Sequence, residues 1–256
     1  RALFSNTTGR FHTATGANAL YSETTAIRNV ANGFGALFRD TTGSGNVAVG
    51  STSLYNNVTG VGNTAVGDNT LYNSTANYNV ALGSNALFRN TTGTGNTALG
   101  VAALYNNMMA GFNTAIGTNA LFNNTAENNT AIGSKALFSN TNGFFNTATA
   151  SDALFSNTSG SDNTASGVSA LTSNTTGSDN TATGLGALSS NNIGSDNTAT
   201  GVNALNHNTS GSSNTASGGN ALYSNTTGTD NTATGVSGLF SNTSGGRNTA
   251  NGSSAL

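Results

Sequence analysis

The sequence predicts an all-β protein, a single elongated β-solenoid (parallel β-helix) of about fifteen 17-residue coils. Three observations lead to this fold: a nearly constant period, one unvarying leucine in each repeat, and short β-branched segments between Gly-, Asn- and Ser-rich turns. A helical repeat is disfavoured because Gly, Asn and Thr lower helix propensity and each repeat offers few apolar side chains.

The repeat is anchored on the Asn of an N-T-A triplet, which recurs from Asn29 to Asn248, with His12 in the first slot. Successive anchors are 17 residues apart except for two steps of 16, and the consensus is N-T-A-x-G-x-x-A-L-[FY]-x-N-T-T-G-x-x. We number these places repeat positions 1 to 17. We expect one strand around repeat positions 1–5 and a second around 8–12. At about 4.8 Å per coil, residues 1–256 would form one continuous rod roughly 70 Å long.

The first expected strand should point its small residues inward. Repeat position 3 is always Ala and repeat position 9 is always Leu, while repeat position 5 is Gly in every coil but one, where Ala150 replaces it. Because side chains alternate along a strand, we expect Ala and Leu inside a thin coil and the Asn residues of repeat positions 1 and 12 in amide ladders at its corners. The candidate core ladder comprises Ala65, Leu71, Ala98, Leu104, Ala182 and Leu188.

Two outward positions change character along the chain. Repeat position 4 is apolar from Val49 to Ile132 and is Thr or Ser from Thr149 onward, ending in Asn251; repeat position 10 is aromatic in most coils. A large exposed apolar patch usually marks an interaction surface, so we expect contact with another copy of the chain. The alternative is that the aromatic rings only cover the backbone or fold over turns. The candidate interaction stripe comprises Val66, Tyr72, Leu82, Phe88, Leu99, Tyr105, Ile116 and Phe122.

The later coils carry T-x-T triplets instead, as in "SDNTATG" at 178–184. Outward rows of Thr on a flat solenoid face resemble the ice-binding surface of β-helical antifreeze proteins; the favoured alternative is that Thr is simply a good outward strand residue. The candidate ice-binding ranks comprise Thr181, Thr183, Thr198, Thr200, Thr232 and Thr234. The aspartates before the anchor, such as Asp162, Asp179 and Asp196, could attract calcium, but turn chemistry is the favoured explanation.

Sequons of the form N-x-[ST] recur at repeat position 12 because the repeat itself generates them. An Asn inside a ladder cannot carry a sugar, yet a surface rich in Thr, Ser and Asn suits a glycan coat. The candidate glycosylation sites are Asn6, Asn57, Asn90, Asn157, Asn174, Asn208, Asn225 and Asn242.

No catalytic set is visible. Lys135 is the only lysine, nine acids are spread over the chain, and there is no P-loop or metal-ligand spacing, so we expect neither an enzyme nor a cofactor. A net charge of −2 gives no basic footprint for nucleic acid, and no apolar run is long enough for membrane insertion. The absence of Cys fits an extracellular location.

The string "GNTALGVAALYNNMMAGFNTAIGTNALFNNTA" resembles the tandem repeats of bacterial surface and tail-fibre-like proteins, and this resemblance covers the whole chain. It is similar, more loosely, to the "NSVAIG" repeats of trimeric autotransporter adhesin heads, which are left-handed β-rolls with a shorter period. The resemblance implies an extracellular fibre on a cell surface or virion, with an adhesive role. The chain starts at repeat position 7 and stops at repeat position 9, so we expect a piece of a longer array, or copies that stack end to end. The alternative is a binding module for ice or carbohydrate.

Overall fold

The computed structural model describes all 256 residues, Arg1 to Leu256. The chain is all-β, with fifteen strands of three residues each that recur with the period of the repeat, so the predicted β-solenoid is confirmed. The strands are β1 (Thr13–Thr15), β2 (Val30–Asn32), β3 (Val47–Val49), β4 (Thr64–Val66), β5 (Val80–Leu82), β6 (Thr97–Leu99), β7 (Thr114–Ile116), β8 (Thr130–Ile132), β9 (Thr147–Thr149), β10 (Thr164–Ser166), β11 (Thr181–Thr183), β12 (Thr198–Thr200), β13 (Thr215–Ser217), β14 (Thr232–Thr234) and β15 (Thr249–Asn251). The fold has no helix of the length and apolarity that a membrane crossing requires.

The chain divides into two compact units. The first unit, Arg1–Asn128, contains β1–β7, and the second, Asn129–Leu256, contains β8–β15. Within each unit the strands pair in parallel, in sequence order and in register, so that each repeat position meets itself in the next coil. That residues 1–256 form one continuous solenoid stays a prediction.

The expectation of a second strand at repeat positions 8–12 is wrong. Only repeat positions 2–4 form a strand, and repeat positions 6–11 are turns. The reason lies in the backbone of the recurring leucine: Leu54 has φ +50 and Leu188 has φ +52, both in the left-handed region rather than the β region. The coil therefore bends at the leucine, and the amide of Asn57 closes the turn on the carbonyl of Leu54 at 3.2 Å.

The glycine of repeat position 5 is required by a close approach between coils. Gly50 has φ +128, and a Cβ added to it would lie 2.3 Å from the carbonyl oxygen of Gly67 in the next coil. Ala150 occupies the same place with φ +104 and is therefore a point of backbone strain.

The core is thin and is formed from repeat positions 3, 8 and 9. The predicted core residues Ala65, Leu71, Ala98, Leu104, Ala182 and Leu188 are all completely buried. The alanine of repeat position 8, for example Ala187, is equally buried and was not singled out from the sequence. Each buried leucine contributes about 1.5–3 kcal/mol, so stability must accumulate over many stacked coils.

Candidate functional site

The asparagines of repeat position 1 form a buried ladder, as the sequence predicted. In the second unit the Nδ2 group of Asn180 donates to Oδ1 of Asn163 at 3.0 Å and to the carbonyl of Gly194 at 2.9 Å. Oδ1 of Asn180 in turn accepts from the backbone amide and Nδ2 of Asn197, both at 3.1 Å. Each of these side chains thus hydrogen-bonds to groups in its own coil and in both neighbouring coils, so a coil offers the next copy of itself matching donors and acceptors.

A second ladder runs through repeat position 12. Nδ2 of Asn174 donates to Oδ1 of Asn157 and to the carbonyl of Gly177, each at 2.8 Å. This ladder contains most of the sequon asparagines, and their complete burial leaves no room for a sugar on the folded protein. The buried ones are Asn57, Asn90, Asn157, Asn174, Asn208 and Asn225.

The two remaining candidates of that set differ. Asn6 is exposed, whereas Asn242 is half-buried and donates from Nδ2 to Asn225 and to Gly245. The sequon residues Asn128 and Asn251, outside repeat position 12, are also exposed. A glycan coat would therefore have to be attached to exposed asparagines such as Asn6, Asn128 and Asn251, or to exposed Ser and Thr hydroxyl groups.

The aromatic residues of repeat position 10 stack face to face from coil to coil. In the first unit the stack runs without a break from Phe4 to Phe122, and within it the rings of Tyr55 and Tyr72 are nearly parallel, with centroids 5.2 Å apart and an interplanar angle of 3°. The rings of Tyr72, Phe88, Tyr105 and Phe122 are half-buried members of this stack. The signal in the sequence was the recurrence of one side-chain class at one position of a coil that repeats about every 4.8 Å.

The other half of the candidate stripe lies on the strands. Val66, Leu82, Leu99 and Ile116 are neighbours in register along β4–β7. Leu82 is 48% exposed and Ile116 is 37% exposed, so this column presents apolar surface to solvent. The structure therefore brings the stripe residues together as two columns, one of stacked rings and one of aliphatic side chains on the sheet.

The strands of the second unit carry hydroxyl groups at the corresponding repeat positions. Thr181, Thr198 and Thr232 at repeat position 2, and Thr183, Thr200 and Thr234 at repeat position 4, are all exposed. The strands β11 to β14 pair in register, and β13, which lies between β12 and β14, contributes Thr215 and Ser217 at the same two repeat positions. The result is a regular array of hydroxyl groups, with about 4.8 Å between coils.

Aromatic residues at repeat position 17 of the first unit have an unusual conformation. Tyr78 and Phe112 have φ +57 and +58, and they are 67% and 64% exposed. Each ring lies over the glycine of the preceding coil: a Cβ on Gly62 would meet the Tyr78 ring at 2.8 Å, and one on Gly95 would meet Phe112 at 3.1 Å. These glycines make room for a ring whose other side faces solvent.

The aspartates of repeat position 17 share that left-handed backbone. Asp162, Asp179 and Asp196 have φ +57 to +59, a conformation that Asp and Asn tolerate better than most residues. No group of three or more His, Cys, Asp or Glu side chains is arranged to hold a metal ion.

Buried ionisable side chains occur together in the first unit, where Glu23 and Asp40 occupy the second ladder and His12 the first. Burial, and then the charge of Glu23, raises the pKa of the Asp40 carboxyl to about 8.

Comparison with known proteins gives no matching family model and no matching curated protein. The repeating β-solenoid is thus established by the structure itself, and the likeness to surface and tail-fibre-like repeats remains a resemblance of the repeat.

Proposed function

We propose that this chain is a structural protein that forms or extends an extracellular fibre or filament, on a cell surface or a virion, with an adhesive surface. The observation that carries the proposal is the self-templating of the coil. The Asn ladders, the ring stack and the backbone all pair with the same repeat position of the neighbouring coil, as Asn180 does with Asn163 and Asn197. Further coils can be added without leaving any of these groups unpaired. This property suits a fibre, whose length depends on the number of coils.

The partner that fits best is another copy of the chain, joined end to end or side by side. The aliphatic column of Val66, Leu82, Leu99 and Ile116 supports lateral association, because a flat exposed apolar column on a sheet is a surface that association would bury. The absence of Cys and the scarcity of charge are compatible with an extracellular location.

Electron microscopy combined with small-angle X-ray scattering tests this proposal. We expect rods at least about 70 Å long, given a spacing of about 4.8 Å per coil, and filaments or bundles at higher concentration. Monomeric globular particles at every concentration would contradict the proposal.

The lateral contact has a matched variant within the chain. Replacing Val66, Leu82, Leu99 and Ile116 by Thr installs the residue that half of the second-unit coils carry at this position, so folding should persist while bundling is lost. Unchanged bundling in this variant, with an unchanged circular dichroism spectrum, would exclude the aliphatic column as the contact.

A second candidate function is ice binding through the Thr ranks of the second unit. It is favoured by the register and exposure of the paired Thr residues on β11, β12 and β14. A thermal-hysteresis assay should then detect activity that is lost in Thr181→Lys/Thr198→Lys and retained in Thr64→Lys/Thr97→Lys, which changes the first unit. No hysteresis in the unaltered chain would exclude this function.

Carbohydrate binding is the other form of a binding module. The exposed rings of Tyr78 and Phe112, each supported by a glycine beneath it, offer apolar platforms on which the C–H face of a sugar could stack. Sedimentation with insoluble polysaccharides should show binding that Tyr78→Ala/Phe112→Ala abolishes, and an absence of binding to a broad polysaccharide panel would exclude it.

A further inference from the structure

Three departures from the Asn ladders occur together in the first unit. His12 stands at repeat position 1, where every other coil has Asn, and Glu23 and Asp40 stand at repeat position 12 of two successive coils. Glu23 and Asp40 are completely buried, and the side chain of His12 is only 3% exposed. Three ionisable side chains thus replace amides in the most buried polar part of the fold.

His12 reproduces the hydrogen bonds of the asparagine that it replaces. Its Nε2 lies 3.0 Å from the carbonyl of Ala26, and its Nδ1 accepts the backbone amide of Asn29 at 3.3 Å. Asn29 makes the equivalent bonds one coil later, to the carbonyl of Gly43 and from the amide of Asn46. These partners assign the proton of the imidazole to Nε2 and leave the ring neutral, so the 3.8 Å contact with Glu23 supplies no positive charge.

Glu23 and Asp40, when ionised, cannot make all the hydrogen bonds of the asparagines that occupy this position in other coils. In the regular ladder each Asn donates an Nδ2 hydrogen to the preceding coil, as Asn174 does to Asn157. A carboxylate has no hydrogen to donate. Oδ1 of Asp40 already accepts from the amide of Gly43 at 3.0 Å and from Nδ2 of Asn57 at 3.4 Å.

The remaining oxygen of Asp40 lies beside Glu23. Nδ2 of Asn29 contacts both Oδ2 of Asp40, at 2.8 Å, and Oε2 of Glu23, at 3.0 Å, which places the two carboxyl groups next to each other. Oε1 of Glu23 accepts the amide of Ala26 at 2.7 Å. No Lys or Arg pairs with either acid: Arg10, Arg28 and Arg39 are exposed, and the following coil, residues 46–62, has no charged residue.

We propose that Glu23 and Asp40 hold one proton between them, and that this proton replaces the missing amide hydrogen of the ladder, so that the first coils close fully only while it is bound. The hydrogen sits on Oδ2 of Asp40 and is donated to Glu23, in the direction in which the amides of the regular ladder donate. Loss of the proton leaves two adjacent buried negative charges and a missing rung. The pair is therefore a pH-sensitive latch on the coils that contain it.

The direction of the pH effect follows from linkage. The pKa of Asp40 is raised to about 8 in the fold, from an ordinary value of 3.8. A raised pKa means that the stabilisation is fully present below about pH 3.8 and is lost as the pH rises to about 8. Between about pH 7 and 8, where an exposed imidazole is neutral as well, the folded coils hold one more proton than the open form, so the opening equilibrium should increase about tenfold for each pH unit.

The experiment is hydrogen exchange on the full chain between pH 5 and 9, corrected for intrinsic exchange rates, together with carbon-13 NMR titration of the Asp and Glu carboxyl groups. We expect opening of residues 29–45 to increase about tenfold per pH unit between about pH 7 and 8, with a smaller slope below, where an exposed imidazole takes up a proton, and one carboxyl to titrate near pH 8. Residues 163–179 of the second unit serve as an internal control, because their coil carries only asparagines in both ladders, and their corrected exchange should not depend on pH.

Asp40→Asn is the matched variant. It restores the residue that most coils carry, and its Nδ2 group can donate to Glu23 at every pH, so the pH dependence of residues 29–45 between about pH 7 and 8 should disappear. Glu23→Gln removes the neighbouring charge and should lower the Asp40 midpoint while burial keeps it above its ordinary value. If Asp40→Asn does not fold, the carboxyl titration of the unaltered chain decides. An Asp40 midpoint near 4, or the same pH dependence in Asp40→Asn as in the unaltered chain, would overturn the proposal.

Discussion

Removing one rung of the first ladder should destabilise the second unit, because the lost amide serves a buried group of the next coil. Asn180→Ala removes the partner of one buried backbone group, the amide of Asn197, whereas the carbonyl of Gly194 keeps a second donor in Nδ2 of Asn191. Oδ1 of Asn163 and Nδ2 of Asn197 keep other partners, namely the amide of residue 180 and the carbonyl of Gly211. One orphaned buried group at about 1–3 kcal/mol predicts a loss of about 1–3 kcal/mol in the free energy of unfolding.

His12 suggests a sharper variant at the same place. Because His12 satisfies the equivalent carbonyl of its own coil and the equivalent amide of the next coil, Asn180→His at pH 8 should lose clearly less stability than Asn180→Ala, although histidine is the larger residue. Thr181→Ala, an adjacent exposed change, should stay within about 0.5 kcal/mol of the unaltered chain.

Urea unfolding followed by circular dichroism gives the free energy of unfolding, and hydrogen exchange shows whether the loss is local to residues 163–214. Local opening is expected because each coil contacts only its neighbours. The reasoning fails if Asn180→Ala costs less than 1 kcal/mol, or if Asn180→His costs as much as Asn180→Ala.

Four further predictions concern the core, the ring stack, the strained alanine and glycosylation. Leu104→Ala should cost about 2–5 kcal/mol in the free energy of unfolding, because a completely buried side chain leaves a cavity in a core too thin to refill it. Tyr105→Ala interrupts two stacked pairs and should cost roughly 1–3 kcal/mol, measured against Tyr78→Ala, whose exposed ring should matter little. Ala150→Gly should raise the melting temperature, since it relieves a strain of about 1–3 kcal/mol at φ +104; a lower melting temperature would contradict this. Peptide mapping by mass spectrometry, on the chain expressed in a glycosylating host, should show no N-glycan on Asn57 or Asn174, because both side chains are completely buried.

The inward half of the coil was predictable because the sequence repeats it. Unvarying Ala182 and Leu188 indicated a thin core, and the recurring Asn180 indicated a ladder, since in a stacked coil each position meets itself. The prediction needed only the period and the alternation of a strand.

The bend at the leucine was not predictable in the same way. A leucine in the left-handed region is uncommon, and local propensity gives no reason to expect it at Leu54 or Leu188. It is imposed by the need to close the coil within 17 residues, which is a property of the whole coil. The ring stack was not predictable from alternation for a different reason: alternation describes which way side chains point along one strand, whereas the contacts of Tyr55 lie across coils, with Phe38 and Tyr72.

Each residue contacts the same repeat position in the coils before and after it. This contact also explains why departures from the consensus repeat occur in successive coils. A polar residue beside an aromatic ring loses a stacking partner, but two adjacent polar residues can bond to each other, as Nδ2 of Asn206 does to Oγ of Ser189 at 2.9 Å. Glu23 and Asp40 follow the same logic in the second ladder, where one carboxyl can serve the other only if the two are in adjacent coils. A lone acid in the middle of an asparagine ladder, such as Asn174→Asp, should therefore be more destabilising than the natural pair, because its neighbours Asn157 and Asn191 give it no carboxylate with which to share a proton.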